Sequence, residues 1–152
     1  MRPNSTGNDP FDIARFVNAQ QGVYERALAE LRAGRKQTHW MWFIFPQIDG
    51  LGLSSTTKHY AIKNLQEAQA YLEHPLLGPR LRACAAAMLG VDGRSAHEIL
   101  GSPDDFKLQS SMTLFSAMTG DTDVFAQVLA KYYGSRRDEK SRALLFGFAG
   151  RC

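Results

Sequence analysis

The chain has 152 residues, of which 44% are hydrophobic, 22% charged and 11% aromatic, and its formal net charge is +3. A chain of this length can bury a core without a metal or a disulfide, and the composition excludes a disordered protein. We expect neither secretion nor a membrane span, because the polar opening MRPNSTGNDP is unlike a signal peptide and no apolar run is as long as a spanning helix.

Charge and cysteine usage argue against two further classes of protein. Arginine and lysine occur in small groups near predicted helix ends rather than on one face, which argues against a nucleic-acid-binding protein. Cys84 and Cys152 are too few for a disulfide scaffold, and the four histidines lack the spacing of a metal site. The sequence therefore predicts a cytoplasmic protein with no metal and no cofactor.

Apolar residues recur at helical spacing along most of the chain. Gly22 interrupts the first helical pattern and predicts a kink, while Ser95 and Glu98 form a capping-box pattern. Ser102 and Asp121 are the expected caps of the two helices that follow. In chain order, helices are predicted over 13–31, from Ala61 to Leu72, from about Pro75 or Pro79 to Met88, over 95–100, from Asp104 to about Met118, from Val124 to Tyr132 and from Glu139 to Phe146.

Two segments are candidates for the centre of the fold. The six apolar residues at 40–45 could form a helix or a strand, and we expect a short buried helix because no other segment offers a strand partner. The helix over 105–118 is apolar on several faces, which is typical of a central helix. The sequence thus predicts an all-α, single multihelical globular domain of roughly seven or eight helices, with two central buried helices wrapped by amphipathic ones. We place this domain at 9–147, between tails at 1–8 and 148–152.

A loop rich in glycine and hydroxyl groups is the first candidate site. Its glycines would let backbone amides approach a ligand, and its serines lead into a helix N-terminus that suits a phosphate or carboxylate. The loop matches neither a P-loop nor a Rossmann turn, and ordinary helix capping is the alternative interpretation. The candidate ligand-binding residues of this loop are Gly50, Gly52, Ser54, Ser55 and Lys58.

Aromatic and amide side chains just before the loop form a second candidate. Trp40 or Trp42 could stack on a base, and the Gln47 amide could fix its orientation. A purely structural role for two indoles in an apolar run is the alternative. On the 104–118 helix, Ser110 could supply a polar contact to the same ligand, or could bond back to its own helix.

Three residues could transfer protons near such a ligand, namely His39, His59 and Asp105. Asp105 also stands where the start of a helix favours an acid, so a structural role competes. Gln20 lies on the face of the first predicted helix that we expect to be buried, and its amide therefore needs a hydrogen-bond partner. The sequence leaves open whether Gln20, His39 and Ser110 face a ligand or each other.

Three stretches are distinctive in combination: RKQTHWMWFIFPQIDGLGLSS, YAIKNLQEAQAYLEHPLLGPRL and SPDDFKLQSSMTLF. Through HWMWFIFPQ and SSMTLF above all, residues 10–147 resemble a bacterial all-α family of unknown function whose members are sometimes labelled "calpastatin". The resemblance implies a multihelical fold with two buried central helices, and it brings no assigned activity and no catalytic residue. The label does not fit, because this apolar, compact chain is unlike a disordered protease inhibitor.

Together these patterns favour a small-ligand protein, with enzymatic activity left open, that holds a phosphorylated or nucleotide-like compound at the 50–59 loop. One alternative is a non-enzymatic protein-interaction or regulatory module, and a second is nucleic-acid binding. The ligand hypothesis requires a concave pocket that brings this loop and the aromatic segment together, whereas the module requires an exposed apolar patch.

Overall fold

The computed structural model describes residues 9–52 and 54–146, and this part of the chain contains ten helices. The predicted all-α, single-domain fold is confirmed, while the predicted tails at 1–8 and 148–152 lie outside the described residues. None of the described helices is both long and apolar enough to cross a bilayer. The helices are α1 (Ala14–Gln20), α2 (Tyr24–Arg32), α3 (Met41–Ile44), α4 (Ser55–Tyr60), α5 (Leu65–Glu73), α6 (Leu77–Leu89), α7 (Ala96–Leu100), α8 (Asp104–Thr119), α9 (Val124–Tyr133) and α10 (Glu139–Phe146).

Helix α8 is the longest of the described helices and lies at the centre of the fold. Leu108, Met112 and Phe115 on this helix are fully enclosed, and α5, α7, α9 and α10 contact it. The short apolar segment forms the buried helix α3, with Trp40 and Phe45 fully buried at its two ends. Both predicted central helices are therefore observed.

The first predicted helix is divided rather than kinked. Gly22 has a φ of +72°, which side chains rarely adopt, and it separates α1 from α2. Ala61 does not begin a helix, because the Ile62 N–H donates to the Gln47 carbonyl at 2.8 Å and the Asp49 N–H donates to the Ile62 carbonyl at 2.7 Å. This isolated parallel bridge fixes the chain on both sides of α4.

Helix caps were predicted with mixed success. The capping box of Ser95 and Glu98 is confirmed at the start of α7. The prediction of Ser102 as a cap was wrong, because Pro103 precedes α8 and no side chain caps it. Asp121 was wrong as well, because it pairs with Arg137, while the Asp123 carboxylate lies next to Val124 and accepts its N–H at 2.6 Å.

Candidate functional site

The glycine loop is held by contacts within the protein. Gly50 has a φ of +106°, and a Cβ there would lie 3.1 Å from Leu144 Cδ2. A Cβ on Gly52 would lie 2.3 Å from Thr57 Cγ2, so this glycine permits a close approach to α4. Ser54 caps α4 by accepting the Thr57 N–H at 3.1 Å. These contacts give both glycines and Ser54 a structural role, and Ser55 is exposed beside them.

The two tryptophans differ in what they can reach. Trp40 is fully buried, and its Nε1–H donates to Glu30 Oε1 at 2.9 Å, so its ring faces the core rather than a ligand. Trp42 is half-buried, with the Lys107 ammonium 5.3 Å from its ring centroid. His39 is exposed, and Gln47 acts through its backbone in the bridge to Ile62.

Glu30 holds the chain that leads into α3 by hydrogen bonds, a role that the sequence did not indicate. Its carboxylate accepts the N–H groups of Gln37 and Thr38 at 2.8 and 3.0 Å, the Thr38 hydroxyl at 2.7 Å and the Trp40 indole. Burial by itself raises the pKa of a carboxyl, but these hydrogen bonds outweigh it and lower the pKa of Glu30 from 4.5 to about 2. One carboxylate therefore fixes the chain between α2 and α3.

The buried polar residues Gln20 and Ser110 face protein groups. The Gln20 amide nitrogen donates to the Phe43 carbonyl at 2.8 Å and to the Tyr71 hydroxyl at 3.1 Å, and its oxygen accepts from Arg80 at 3.2 Å. The Ser110 hydroxyl lies 3.2 Å from both the Phe106 carbonyl and an Asp138 carboxylate oxygen. These bonds satisfy both side chains inside the fold.

Asp105 also makes local contacts. Its carboxylate accepts the N–H of Phe106 at 2.9 Å and lies 3.4 Å from Nδ1 of the exposed His97. Asp105 thus lies in the first turn of α8, where the helix dipole favours an acid. None of His39, Trp42, Asp105 and Ser110 lines the cleft described next.

Lys58 and His59 do line a cleft, of about 550 Å³ and open to solvent. One wall is the segment before α1, and the other runs from the end of α4 to the start of α5. We call it the Arg15 cleft. Its lining residues are Pro10, Phe11 and Asp12 on the first wall, Lys58, His59, Lys63 and Asn64 on the second, and Arg15 between them.

Arg15 connects the two walls. Its guanidinium donates to the carbonyls of Phe11 (2.6 Å) and Asp12 (2.9 Å) on one side, and to those of His59 (2.7 Å) and Ala61 (2.9 Å) on the other. The fifth bond goes to Glu67 Oε2 at 2.7 Å. An arginine has five N–H donors, so this guanidinium is fully used by the protein and sets the shape of the cleft.

Glu67 completes this arrangement from α5. Its side chain is fully buried, and its second oxygen accepts the N–H of Lys63 at 2.8 Å. Asn64 caps α5 by accepting the Glu67 N–H at 2.9 Å. The sequence analysis singled out neither Arg15 nor Glu67. An Asn followed three residues later by Glu is a helix-start signal, and because Asn64 and Glu67 match it, this signal could have pointed to Glu67.

The fold and the cleft define the class of the protein: an all-α domain with a basic cleft between its N-terminal segment and the junction of α4 and α5. The chain belongs to the family described as "Protein of unknown function (DUF1810)", which matches residues 10–145, and the expected family membership is confirmed. It is similar to the crystal structure of the conserved hypothetical protein Rv1873 from Mycobacterium tuberculosis, with 56% identity, a TM-score of 0.87 and coverage of 91% of this chain and 99% of that one. No curated protein matches. Neither description assigns an activity.

Proposed function

We propose that the protein binds a small phosphorylated or nucleotide-like compound in the Arg15 cleft. The observation that carries this proposal is the gathering of Lys58, His59 and Lys63 along one wall of an open cleft of about 550 Å³. Clefts of roughly 300–1,000 Å³ are typical of small-molecule sites. The proposal keeps the ligand class that the sequence favours but moves the site. Of the candidate residues only Lys58 and His59 line this cleft, and the aromatic segment at 40–45 does not contribute to it.

The charges of the cleft support an anionic ligand. Lys58 and Lys63 are exposed, and neither forms an ion pair with another residue in the described part of the chain. The charge of Arg15 is balanced by Glu67, so it adds little to the potential of the cleft. Asp12 is the opposing carboxylate in the lining, which leaves the lysines in excess. Ammonium groups bind phosphate as compact point charges.

His59 is the one imidazole among the cleft's lining residues. Histidine is the side chain best suited to exchange a proton near neutral pH, so we assign any acid–base chemistry at this cleft to His59 rather than to His39 or Asp105. The cytoplasmic location that the sequence indicates stays a prediction.

The alternative of a protein-interaction or regulatory module has one supporting observation. Phe106 at the start of α8 is 62% exposed, an unusual position for a phenyl ring. In the described part of the chain the other exposed large apolar side chains are Leu76, just before α6, and Leu144 on α10. Three separate side chains give weaker support than a continuous patch would.

Nucleic-acid binding gains less support. Three basic residues, each from a different group along the sequence, pair with carboxylates on other helices or loops. The pairs are Lys36 with Asp104, Arg82 with Asp123 and Arg137 with Asp121. Cations engaged in this way do not form the one-sided basic face that phosphate backbones require.

Thermal unfolding with phosphate compounds tests the proposal. A ligand at 100 times its dissociation constant adds about 2.7 kcal/mol, which raises the midpoint by roughly 5–10 °C for a domain of this size. We expect the rise to disappear in a K58A/K63A variant and to persist in K140A, which removes an exposed lysine on α10, outside the cleft. An equal rise in the wild type and in K58A/K63A would place the ligand elsewhere and contradict the proposal.

A further inference from the structure

The two walls of the Arg15 cleft differ in chemistry. Lys58 and Lys63 are both on the second wall, whereas the first wall is lined by two apolar residues, Pro10 and Phe11, and by Asp12. Arg15 holds the walls together through its bonds to the carbonyls of both, so their opposition is built into the fold. A ligand that fills the cleft therefore meets cations on one side and an apolar surface with a negative charge on the other.

From this asymmetry we infer that the cleft selects a phosphomonoester that carries a planar aromatic ring, such as an aryl phosphate or a nucleoside monophosphate. The inference rests on the proposed function and narrows its ligand class. The single phosphate lies against Lys58 and Lys63, and the ring lies against Pro10 and Phe11. Phe11 is half-buried and packs on the core, so the apolar surface on this wall is fixed in place.

The same asymmetry disfavours polyphosphates. A chain of phosphates long enough to cross the cleft would bring negative charge to Asp12, and Arg15 offers no free donor to receive it. Asp12 is exposed and has a φ of +54°, and its carboxylate accepts no hydrogen bond from the described part of the chain. Asparagine tolerates this backbone conformation as well as aspartate does, so D12N removes the charge and leaves the wall in place.

Isothermal titration of the full chain with inorganic phosphate, phenyl phosphate, adenosine monophosphate and inorganic triphosphate tests this inference. We expect the two ring-bearing monoesters to bind at least about tenfold more tightly than inorganic phosphate, because burying part of a ring adds favourable binding free energy. Triphosphate should bind more weakly than the monoesters in the wild type and gain about threefold in D12N, the effect of one charge several ångström away in solvent. The monoesters should change little in D12N.

A second variant separates the ring from the phosphate. F11A should reduce the affinity for phenyl phosphate to that for inorganic phosphate and leave the latter unchanged. If F11A does not fold, the wild-type series and D12N still decide. Equal affinities of phenyl phosphate and inorganic phosphate, or tightest binding of triphosphate, would overturn this inference but not the proposed function. Failure of every phosphate compound to bind would instead overturn the proposed function itself.

Discussion

The Arg15 guanidinium and the Glu67 carboxylate form a buried ion pair, with Nη2 and Oε2 2.7 Å apart and side-chain exposures of 7% and 0%. Such a pair is stable only where further hydrogen bonds satisfy its remaining polar atoms. Here four carbonyls and the Lys63 N–H supply them. The ion pair is therefore both a core element and the connection between the two walls of the cleft.

Removing one charge of this pair should be costly. E67Q leaves the Arg15 charge buried without a counterion, and we expect a loss of about 3–5 kcal/mol in the free energy of unfolding. Urea denaturation measures this, with E73Q on the same helix as the matched control, because Glu73 is exposed and should change stability by less than about 0.5 kcal/mol. Similar unfolding free energies for E67Q and E73Q would show that the pair contributes little.

Glu30 should make the fold sensitive to acid. Its folded pKa of about 2 lies below the usual 4.5 of the unfolded chain, so its contribution is complete above about pH 5 and is lost as the pH falls toward 2. The shift corresponds to an upper bound of about 3–4 kcal/mol, and we expect about 1–2 kcal/mol because water screens this partly exposed carboxylate. Unfolding free energies measured across this range should therefore fall less steeply in E30Q, which is also less stable at neutral pH. The control is E25Q, an exposed carboxyl on α2, which should keep the wild-type profile; a wild-type profile in E30Q would exclude this role.

Two buried serines should respond in opposite directions to substitution by alanine. The Ser111 hydroxyl is fully buried on α8 and has no hydrogen-bond partner in the described part of the chain, so S111A should be neutral or stabilise by about 1 kcal/mol. Ser141 is equally buried, but its N–H donates to an Asp138 oxygen at 2.9 Å and its hydroxyl bonds to the same oxygen. S141A should therefore destabilise by about 1 kcal/mol. Thermal unfolding compares the two, and destabilisation by S111A would reveal a partner for its hydroxyl.

Gly78 on α6 should be less replaceable than Gly90, which directly follows this helix. A Cβ at this position would lie 2.1 Å from the Leu72 carbonyl oxygen, a backbone atom that cannot move aside cheaply. We expect G78A to separate α5 from α6 and to cost about 1–3 kcal/mol. At Gly90 the nearest such atom is 3.5 Å away and φ is −79°, so G90A should be neutral or slightly stabilising. Equal melting temperatures for the two variants would contradict this difference.

Local patterns predicted most of the helices, because capping and apolar spacing act within a few residues. The capping box at Ser95 and the helix Glu139–Phe146 were both readable in this way. The pairing of Arg15 with Glu67 was not readable in this way, because the two residues are 52 positions apart and their contact depends on how α1 meets α5. Likewise, nothing near Glu30 in the sequence indicates that a segment 7–10 residues later folds back onto its carboxylate.

The sequence pointed to two residues of the Arg15 cleft but not to the cleft itself. Lys58 was a candidate for binding at the glycine loop and His59 for proton transfer, and both line the cleft. Trp40, by contrast, was a candidate because an indole can stack on a base, whereas it is fully buried against Glu30. Tertiary contacts decide which of two chemically suitable side chains faces solvent. These contacts cannot be inferred from a single sequence.

Titration of the isotope-labelled protein with adenosine monophosphate, followed by amide chemical shifts, tests whether the Arg15 cleft binds a phosphate compound. Binding there should give saturable changes concentrated at residues 10–15 and 58–64, the two walls of the cleft and Arg15. Changes concentrated instead at residues 39–52 and 104–110, or no saturable change at any amide, would contradict it.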